Sequence, residues 1–336
     1  MKLEIPEANN SKPEDRNYFI YTYQRVIKKR SKMQLGFVGL GRLGKPMVFN
    51  LLKKGLEVVA YTPTNVQALK EVEAKGAITV RSIKDIPPKL TPPRVIYLEI
   101  PAGDPVENAV KDLSPSLNSG DIMIDGGNSF FKDSIRRADM LKERGVYFLD
   151  VGTSGGIEGA EKGLCLMVGG DRSAFEKCTP IFEALAAPGG YTYIGESGAG
   201  HYVKMVHNGI LYAVLEAYGE GFAMLHSAPY KLKLDEIAST WRNASVLRSW
   251  LLDLAHRALS KDPNLKEFAH YIGGGQTGTW AVETAHELGV PTPCIDLALQ
   301  MRLISRLEEL FSGKIVASIR YEFGGHEYKK AKGDQG

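Results

Sequence analysis

From Met33 onward the chain alternates short, continuous apolar runs with amphipathic stretches. Leu35–Val38, Glu57–Tyr61, Val95–Ile100, Ile122–Ile124, Tyr147–Val151 and about Leu164–Val168 read as strands, while Leu43–Lys54, Asn65–Lys75 and Ser173–Leu185 carry helical spacing. Strands that are apolar throughout and separated by helices predict a parallel sheet covered on both faces, a doubly wound α/β domain. After Gly195 no further strand is expected. The remainder reads as helices at about 198–226, 234–242, 245–259, 278–288, 294–312 and 313–321, so an all-α domain follows. The expected organisation is an N-terminal extension over 1–32, a first domain over 33–195, a helical domain over 196–326 and a tail over 327–336. Within the extension, Tyr18 to Val26 has the pattern of a short helix.

One stretch departs from the simple pattern. Gly200–Tyr212 opens a nearly uninterrupted apolar run that continues to about Leu225, and a helix apolar all round has to be buried. Yet Lys204, His207, Asn208, Leu211 and Tyr212 fall at i, i+3, i+4, i+7 and i+8, on one helical face. Four of the five carry polar groups, whereas the opposite side, with Val206, Ile210 and Val214, is bland. Unpaired burial costs a neutral polar group roughly 2–7 kcal/mol, so the stripe needs partners or a polar cavity. The alternative is that Lys204 snorkels from the first turn and His207 finds a core partner.

A length of 336 residues allows two domains with a large core. The formal charge of +3 is too balanced to point to nucleic acid or a membrane surface. Cys165, Cys178 and Cys294 are scattered, form no CxxC pair, and read as free thiols in a reducing compartment. No apolar run reaches membrane-spanning length without glycine or charge, and no signal peptide is visible. The expectation is a soluble, cytoplasmic protein that requires no metal.

Chemistry enters at Gly39-Leu40-Gly41-Arg42-Leu43-Gly44, directly after the first strand and at the opening of a helix. Glycines in that context permit a tight turn and bring backbone N–H groups close to a pyrophosphate at the helix N-terminus. A Rossmann-type domain binding a nicotinamide dinucleotide is therefore expected. For NAD, the second strand would end in an acid that holds the ribose hydroxyls; here it ends Tyr61-Thr62-Pro63-Thr64-Asn65. Without that carboxylate a 2′-phosphate is not repelled, and Thr62 and Thr64 with Arg42 offer it ligands. The residues lean towards NADP over NAD, although no arginine follows the strand. Later strand ends, which face the ligand crevice of such sheets, carry Ile100-Pro101-Ala102-Gly103 and Asp125-Gly-Gly-Asn128-Ser129. The first is as readily a turn as a cofactor contact. The second combines close backbone approach with a side-chain amide. Glu99, a carboxylate in an apolar strand, is expected to be solvated at the strand's crevice end.

The next strand end gives Val151-Gly-Thr-Ser154-Gly155-Gly156, followed by Gly159-Ala160, Gly163 and Met167-Val-Gly-Gly170. With Asp125–Ser129 and Gly200–Tyr212, these motifs make the chain similar to the 6-phosphogluconate dehydrogenases, in their short form, from Met33 to about His326. The resemblance implies oxidative decarboxylation of a phosphorylated sugar acid, 6-phosphogluconate, to ribulose 5-phosphate with reduction of NADP or NAD. It implies that Lys204 is the base taking the proton from the substrate's 3-hydroxyl, in line with the depressed pKa of a desolvated lysine. It places Asn128, which is also among the cofactor contacts, with Ser154, Gly155, Gly156, His207 and Asn208 around the substrate's carboxylate and hydroxyls. Tyr212 and Arg302 fall to the phosphate, where a bidentate guanidinium is well suited. The tail Arg320-Tyr-Glu-Phe-Gly-Gly-His326 resembles a segment whose arginine and histidine reach the neighbouring subunit's site. A homodimer, or an assembly of dimers, is implied.

Three positions depart from the family pattern. Leu211 stands where the family has a glutamate thought to protonate C1 of the enediol, and Glu216 lies about 140° away round the helix. Thr279, in Gly275-Gln-Thr-Gly-Thr-Trp280, stands where a phosphate-binding lysine is expected. Thr62-Pro-Thr replaces the Asn-Arg-Thr of NADP-specific long forms, which leaves the cofactor open. Two other readings follow from Leu211: a dehydrogenase for another β-hydroxyacid with a less polar pocket, or a non-catalytic relative that binds NADP or a sugar acid.

Overall fold

The structure, a computed structural model, describes residues 33–308, 311–324 and 327. The extension over 1–32, with the helix expected at Tyr18–Val26, lies outside the described residues, as does the tail from residue 328 onward. The chain divides into two compact units, the first running to Lys204 and the second starting at Met205.

The first unit is built on an eight-stranded sheet of order β3-β2-β1-β4-β5-β6-β7-β8. Its strands are β1 (Gln34–Val38), β2 (Glu57–Tyr61), β3 (Ile78–Thr79), β4 (Val95–Leu98), β5 (Ile122–Asp125), β6 (Tyr147–Ser154), β7 (Leu164–Gly170) and β8 (Ala186–Gly195). Between them run α1 (Gly44–Lys53), α2 (Val66–Glu73), α3 (Asp104–Leu113), α4 (Phe131–Lys142), α5 (Gly156–Lys162) and α6 (Arg172–Leu185). Alternate residues of each central strand go to opposite cores: Leu35, Phe37, Val58, Ala60 and Tyr97 to one, Val38, Val59, Ile96, Leu98 and Met123 to the other. Burial on both faces is why these strands are continuous apolar runs rather than alternating ones.

The sheet differs from the all-parallel expectation at one place. β1 to β6 pair in parallel, but β7 is antiparallel to β6 and parallel to β8. Only residues 155–163 separate β6 from β7, fewer than the dozen or so that a parallel crossover takes, so the chain turns back instead. β8 itself is a strand that the pattern does not announce, because Pro188-Gly-Gly reads as a turn. An edge position tolerates proline, and the register between β7 and β8 is irregular there.

The second unit is helical. The long helix α7 (Ala199–His226) carries the division between the units within it, and α8 (Leu234–Ala244), α9 (Trp250–Lys261), α10 (Gln276–Glu287), α11 (Pro293–Ile304) and α12 (Phe311–Gly324) follow. Ala238, Leu252 and Leu259 pack with Phe222 and Trp241 into a small core. α9 begins at Trp250 rather than 245 because Ser249 caps it, its Oγ accepting from the Leu252 amide at 3.2 Å. α11 ends at Ile304 rather than 312: Ser305 Oγ donates back to the Arg302 carbonyl at 2.7 Å and accepts from the Ile272 amide at 3.0 Å.

Candidate active site

The glycine turn after β1 separates packing from approach. Gly39 has φ +105°, and a Cβ there would lie 2.1 Å from the Glu99 carbonyl oxygen; a Cβ on Gly44 would lie 1.9 Å from the Gly39 carbonyl oxygen. A Cβ on Gly41 would meet nothing within 4 Å. The outer glycines thus let the turn close on β4, while Gly41 leaves open space at the start of α1, where a pyrophosphate fits. Thr62 is buried at the end of β2, whereas Thr64 and Arg42 are exposed beside it in sequence. Asn65 ties the two loops: its Oδ1 accepts from the Ala68 amide at 3.0 Å and its Nδ2 donates to the Leu40 carbonyl at 3.3 Å. Pro101 is exposed and Ala102 half-buried just ahead of α3.

At the end of β5, Asp125 is fully buried and organises its own loop. Its Oδ1 accepts from the Gly127 amide at 3.0 Å, its Oδ2 from Ser129 Oγ at 2.7 Å, and Arg137 Nη1 stands 3.7 Å away. Asn128, at φ +53°, locks the loop to the end of β6 by accepting from the Thr153 amide at 2.9 Å and donating to its carbonyl at 3.3 Å. Glu99 is less solvated than its position suggests, being half-buried with one carboxylate oxygen enclosed. Its Oε2 is buried without a hydrogen-bond partner, close under Gly126, whose added Cβ would come within 2.8 Å. Burial first, and the Asp125 carboxylate second, push the Glu99 pKa up to about 8, so its side chain is a neutral acid at pH 7.

Lys204 is buried by glycines. A Cβ on Gly152 would lie 2.5 Å from Lys204 Cβ and 2.6 Å from the Gly200 carbonyl oxygen, and one on Gly200 would lie 2.3 Å from the Asp150 carbonyl oxygen. The absence of these atoms lets the first turns of α7 lie directly on β6 and β7. Asp150 then anchors the helix: Oδ1 accepts from the Gly198 amide at 2.7 Å and Oδ2 from the His201 amide at 2.8 Å. The buried His201 ring, in turn, meets Ser134 Oγ of α4 at 2.8 Å through Nδ1. Lys204 itself is only 7% exposed, and no described carboxylate lies within ion-pair distance. Desolvation lowers its pKa from 10.5 to about 8, with the Cys165 thiol opposing the shift. Lys204 does not snorkel. Asp150, Ser134 and His201 escape a reading of motifs; the available signal was an aspartate inside the apolar run Tyr147–Val151.

In the second unit, Thr277 is a hub that the sequence does not single out. Its Oγ1 accepts from Asn208 Nδ2 at 3.0 Å and meets Tyr212 Oη at 3.1 Å, while His207 Nδ1 lies 3.2 Å from Asn208 Oδ1. The Arg302 guanidinium stacks over the Tyr212 ring at 3.9 Å, and its Nη1 donates to the Gly273 carbonyl at 2.7 Å. His207, Asn208, Tyr212 and Arg302 therefore form one cluster around α10. Leu211 is half-buried and offers no proton. Arg320 lies exposed on α12, whereas His326 falls outside the described residues.

A doubly wound sheet, a glycine turn open to a pyrophosphate and a desolvated lysine define a dinucleotide-dependent dehydrogenase. Residues 34–195 match the NAD binding domain of 6-phosphogluconate dehydrogenase, and residues 200–335 match the C-terminal domain of the same enzyme. The chain belongs to the 6-phosphogluconate dehydrogenase family. It is 44% identical over 297 residues to the NAD(+)-dependent, decarboxylating 6-phosphogluconate dehydrogenase of Haloferax volcanii, covering 88% of this chain and 98% of that protein. It is 36% identical to the NADP(+)-dependent, decarboxylating enzyme of Bacillus subtilis, covering 83% of this chain and 62% of that one. Among solved structures, 6-phosphogluconate dehydrogenase of Plasmodium falciparum, known in complex with NADP+ and with 6-phosphogluconate, aligns with a TM-score of 0.76 at 29% identity, over 90% of this chain and 67% of that one.

Proposed function

We propose that the protein oxidises 6-phosphogluconate at C3 and releases its C1 carboxylate as carbon dioxide, forming ribulose 5-phosphate and a reduced nicotinamide. The observation that carries this reading is Lys204, desolvated to a pKa of about 8 in a chain of this family. Bound NAD or NADP supplies the hydride acceptor. Neutral Lys204 takes the proton of the 3-hydroxyl. As an ammonium it then donates to the C3 carbonyl oxygen and draws the electron pair left behind by the departing carboxyl group. Asn128, Ser154, Gly155, Gly156, His207 and Asn208 hold the acid and hydroxyls, and Tyr212 with Arg302 takes the phosphate. Gly39–Gly44, Thr62, Thr64, Pro101 and Ala102, with Asn128, hold the cofactor. Because no acid ends β2, both cofactors are accepted, with NADP preferred.

Initial rates with 6-phosphogluconate and with gluconate, each with NAD and NADP, test this directly. No reduced nicotinamide from 6-phosphogluconate with either cofactor would end the proposal. The half-buried Leu211 favours a second reading, oxidation of a less polar β-hydroxyacid, and a higher kcat/KM for unphosphorylated acids would select it. On the first reading solvent water protonates C1, so Leu211→Glu leaves kcat within about threefold of wild type. A tenfold gain would mean that the missing acid limits turnover.

The working form is a homodimer, or an assembly of dimers, in a cytoplasmic setting that keeps its three cysteines free. Support comes from apolar side chains left uncovered on the helical unit: Ile210 and Met224 on α7, Phe311, Val316 and Ile319 on α12, each more than half exposed. The far side of α7, expected to be buried, is thus open in a single chain and suited to a second copy. The C-terminal Arg320 and His326 would complete the neighbour's site. Light scattering that gives a monomer at micromolar concentration would remove this part.

A further inference from the structure

Gly274, Gly275, Thr277, Thr279 and Arg306 line a cavity of about 600 Å³ in the helical unit. Arg306 donates through Nε to the Ile272 carbonyl at 3.0 Å and through Nη2 to the Gly274 carbonyl, while Arg302 donates to the Gly273 carbonyl between them. A Cβ on Gly275 would lie 3.1 Å from Arg302 Cδ and 3.5 Å from Arg306 Nη2, so the two side chains flank one glycine. Three successive carbonyls therefore orient two neighbouring guanidinium groups without cancelling their charge. Other arginines held by side-chain hydrogen bonds meet carboxylates instead: Arg94 pairs with Asp121 at 3.0 Å and Arg136 with Glu107 at 2.6 Å. Among the described residues no carboxylate stands within ion-pair distance of Arg302 or Arg306. Two adjacent cations held by neutral acceptors, Arg306 lining the cavity and Arg302 beside its glycines Gly274 and Gly275, call for a dianion between them.

We propose that Arg306 is a phosphate ligand and a specificity determinant, clamping the substrate's phosphate monoester together with Arg302. This rests on the reading of the substrate as a phosphorylated sugar acid. Arg306 supplies the positive charge that the family pattern places on a lysine where this chain has Thr279, which lines the same cavity. The competing explanation is that Arg306 only latches the Ile272–Gly274 backbone.

The test uses the full-length protein. Arg306→Ala raises KM for 6-phosphogluconate by about 10–100-fold with kcat within about threefold, and leaves KM for gluconate unchanged. Thr279→Lys added to Arg306→Ala recovers at least about fivefold in KM, because a lysine restores the charge but not the latch. An equal change for gluconate and 6-phosphogluconate, or no change for either, overturns the proposal in favour of the latch. Inorganic phosphate provides an arm independent of turnover: at constant ionic strength it raises the melting temperature of the wild type, and Arg306→Ala removes that shift. If the wild type does not turn over 6-phosphogluconate yet shows the phosphate shift, the reaction assignment falls and the anion site stands. If Arg306→Ala does not fold, Arg306→Gln and Arg306→Lys in the phosphate assay decide the point, an unchanged shift in Arg306→Gln counting against it.

Discussion

The two units treat a cation in opposite ways. Lys204 in the sheet unit is 7% exposed with no carboxylate nearby, and its pKa falls to about 8. Arg306 lines a surface cavity in the helical unit and Arg302 stands beside it, both propped by carbonyls and Arg302 also by the Tyr212 face. On the proposed function, the difference follows from what each has to do. A base must lose its proton near pH 7, so a lysine is desolvated until it can. An anion clamp must never lose its charge, so a guanidinium is used and is left hydrated.

If that contrast is right, the largest effect comes from Lys204→Met. Turnover should fall by about 10³-fold or more, since both the proton acceptor and the later donor are gone. Stability should move the other way. A lysine whose folded pKa is below its unfolded value weakens the fold below pH 8, and that penalty fades as pH rises from about 8 to 10.5. At pH 7 the variant should therefore gain roughly 1–3 kcal/mol in denaturant unfolding, and the gain should vanish near pH 10.5. A variant less stable than wild type at pH 7 would mean that Lys204 is not desolvated. In the wild type, kcat/KM should climb with pH to a plateau above about 8.

Gly152→Ala attacks the burial rather than the base. The new methyl meets Lys204 Cβ at 2.5 Å and the Gly200 carbonyl oxygen at 2.6 Å, one of them backbone, so the helix start has to lift from β6. Overpacking of this kind costs about 1–3 kcal/mol. With Lys204 displaced and rehydrated, the rising limb of kcat/KM should move to higher pH. An unmoved limb would show that the glycine stack does not set the lysine's pKa.

How far the sequence discloses this site depends on the range of the interaction involved. The glycine turn at Gly39–Gly44 and the polar stripe of α7 are local patterns, and both are visible in order along the chain. Asp150 as the anchor of α7 is not, because its partners Gly198 and His201 lie about 50 residues on, and only the fold brings them under its carboxylate. Thr277 is hidden for the same reason, its partners Asn208 and Tyr212 being on another helix. β8 fails differently: its proline and glycines obey the rule for a turn, and an edge position overrides that rule. Glu99 fails by context, since an acid at a strand end is solvated unless a loop packs against it, as the turn at Gly126 does here against one carboxylate oxygen.

Glu99 is the acidic counterpart of Lys204, and the smallest effect on turnover is expected there. Burial raises its pKa from 4.5 to about 8, with Asp125 adding to the shift and Tyr97 beside it. Arg137, 3.7 Å from Asp125, is the cation facing this pair. The folded protein therefore keeps a proton that the unfolded chain gives up. The stability tied to Glu99 is complete below pH 4.5 and is lost as pH rises to about 8, where the folded state ionises as well. Glu99→Gln holds the neutral state at every pH. The difference in unfolding free energy between variant and wild type should grow across this window by roughly 3–4 kcal/mol and then level off. Comparing slopes removes any constant offset from the amide itself, and Lys204, present in both proteins, cancels. Turnover at pH 7 should change by less than about threefold, because Glu99 is already neutral there. Parallel stability curves for the two proteins would place the Glu99 carboxylate in water, as its position in the sequence suggests. The buried acid would then be lost as a partner to Lys204, and desolvation in the sheet unit would belong to the lysine alone.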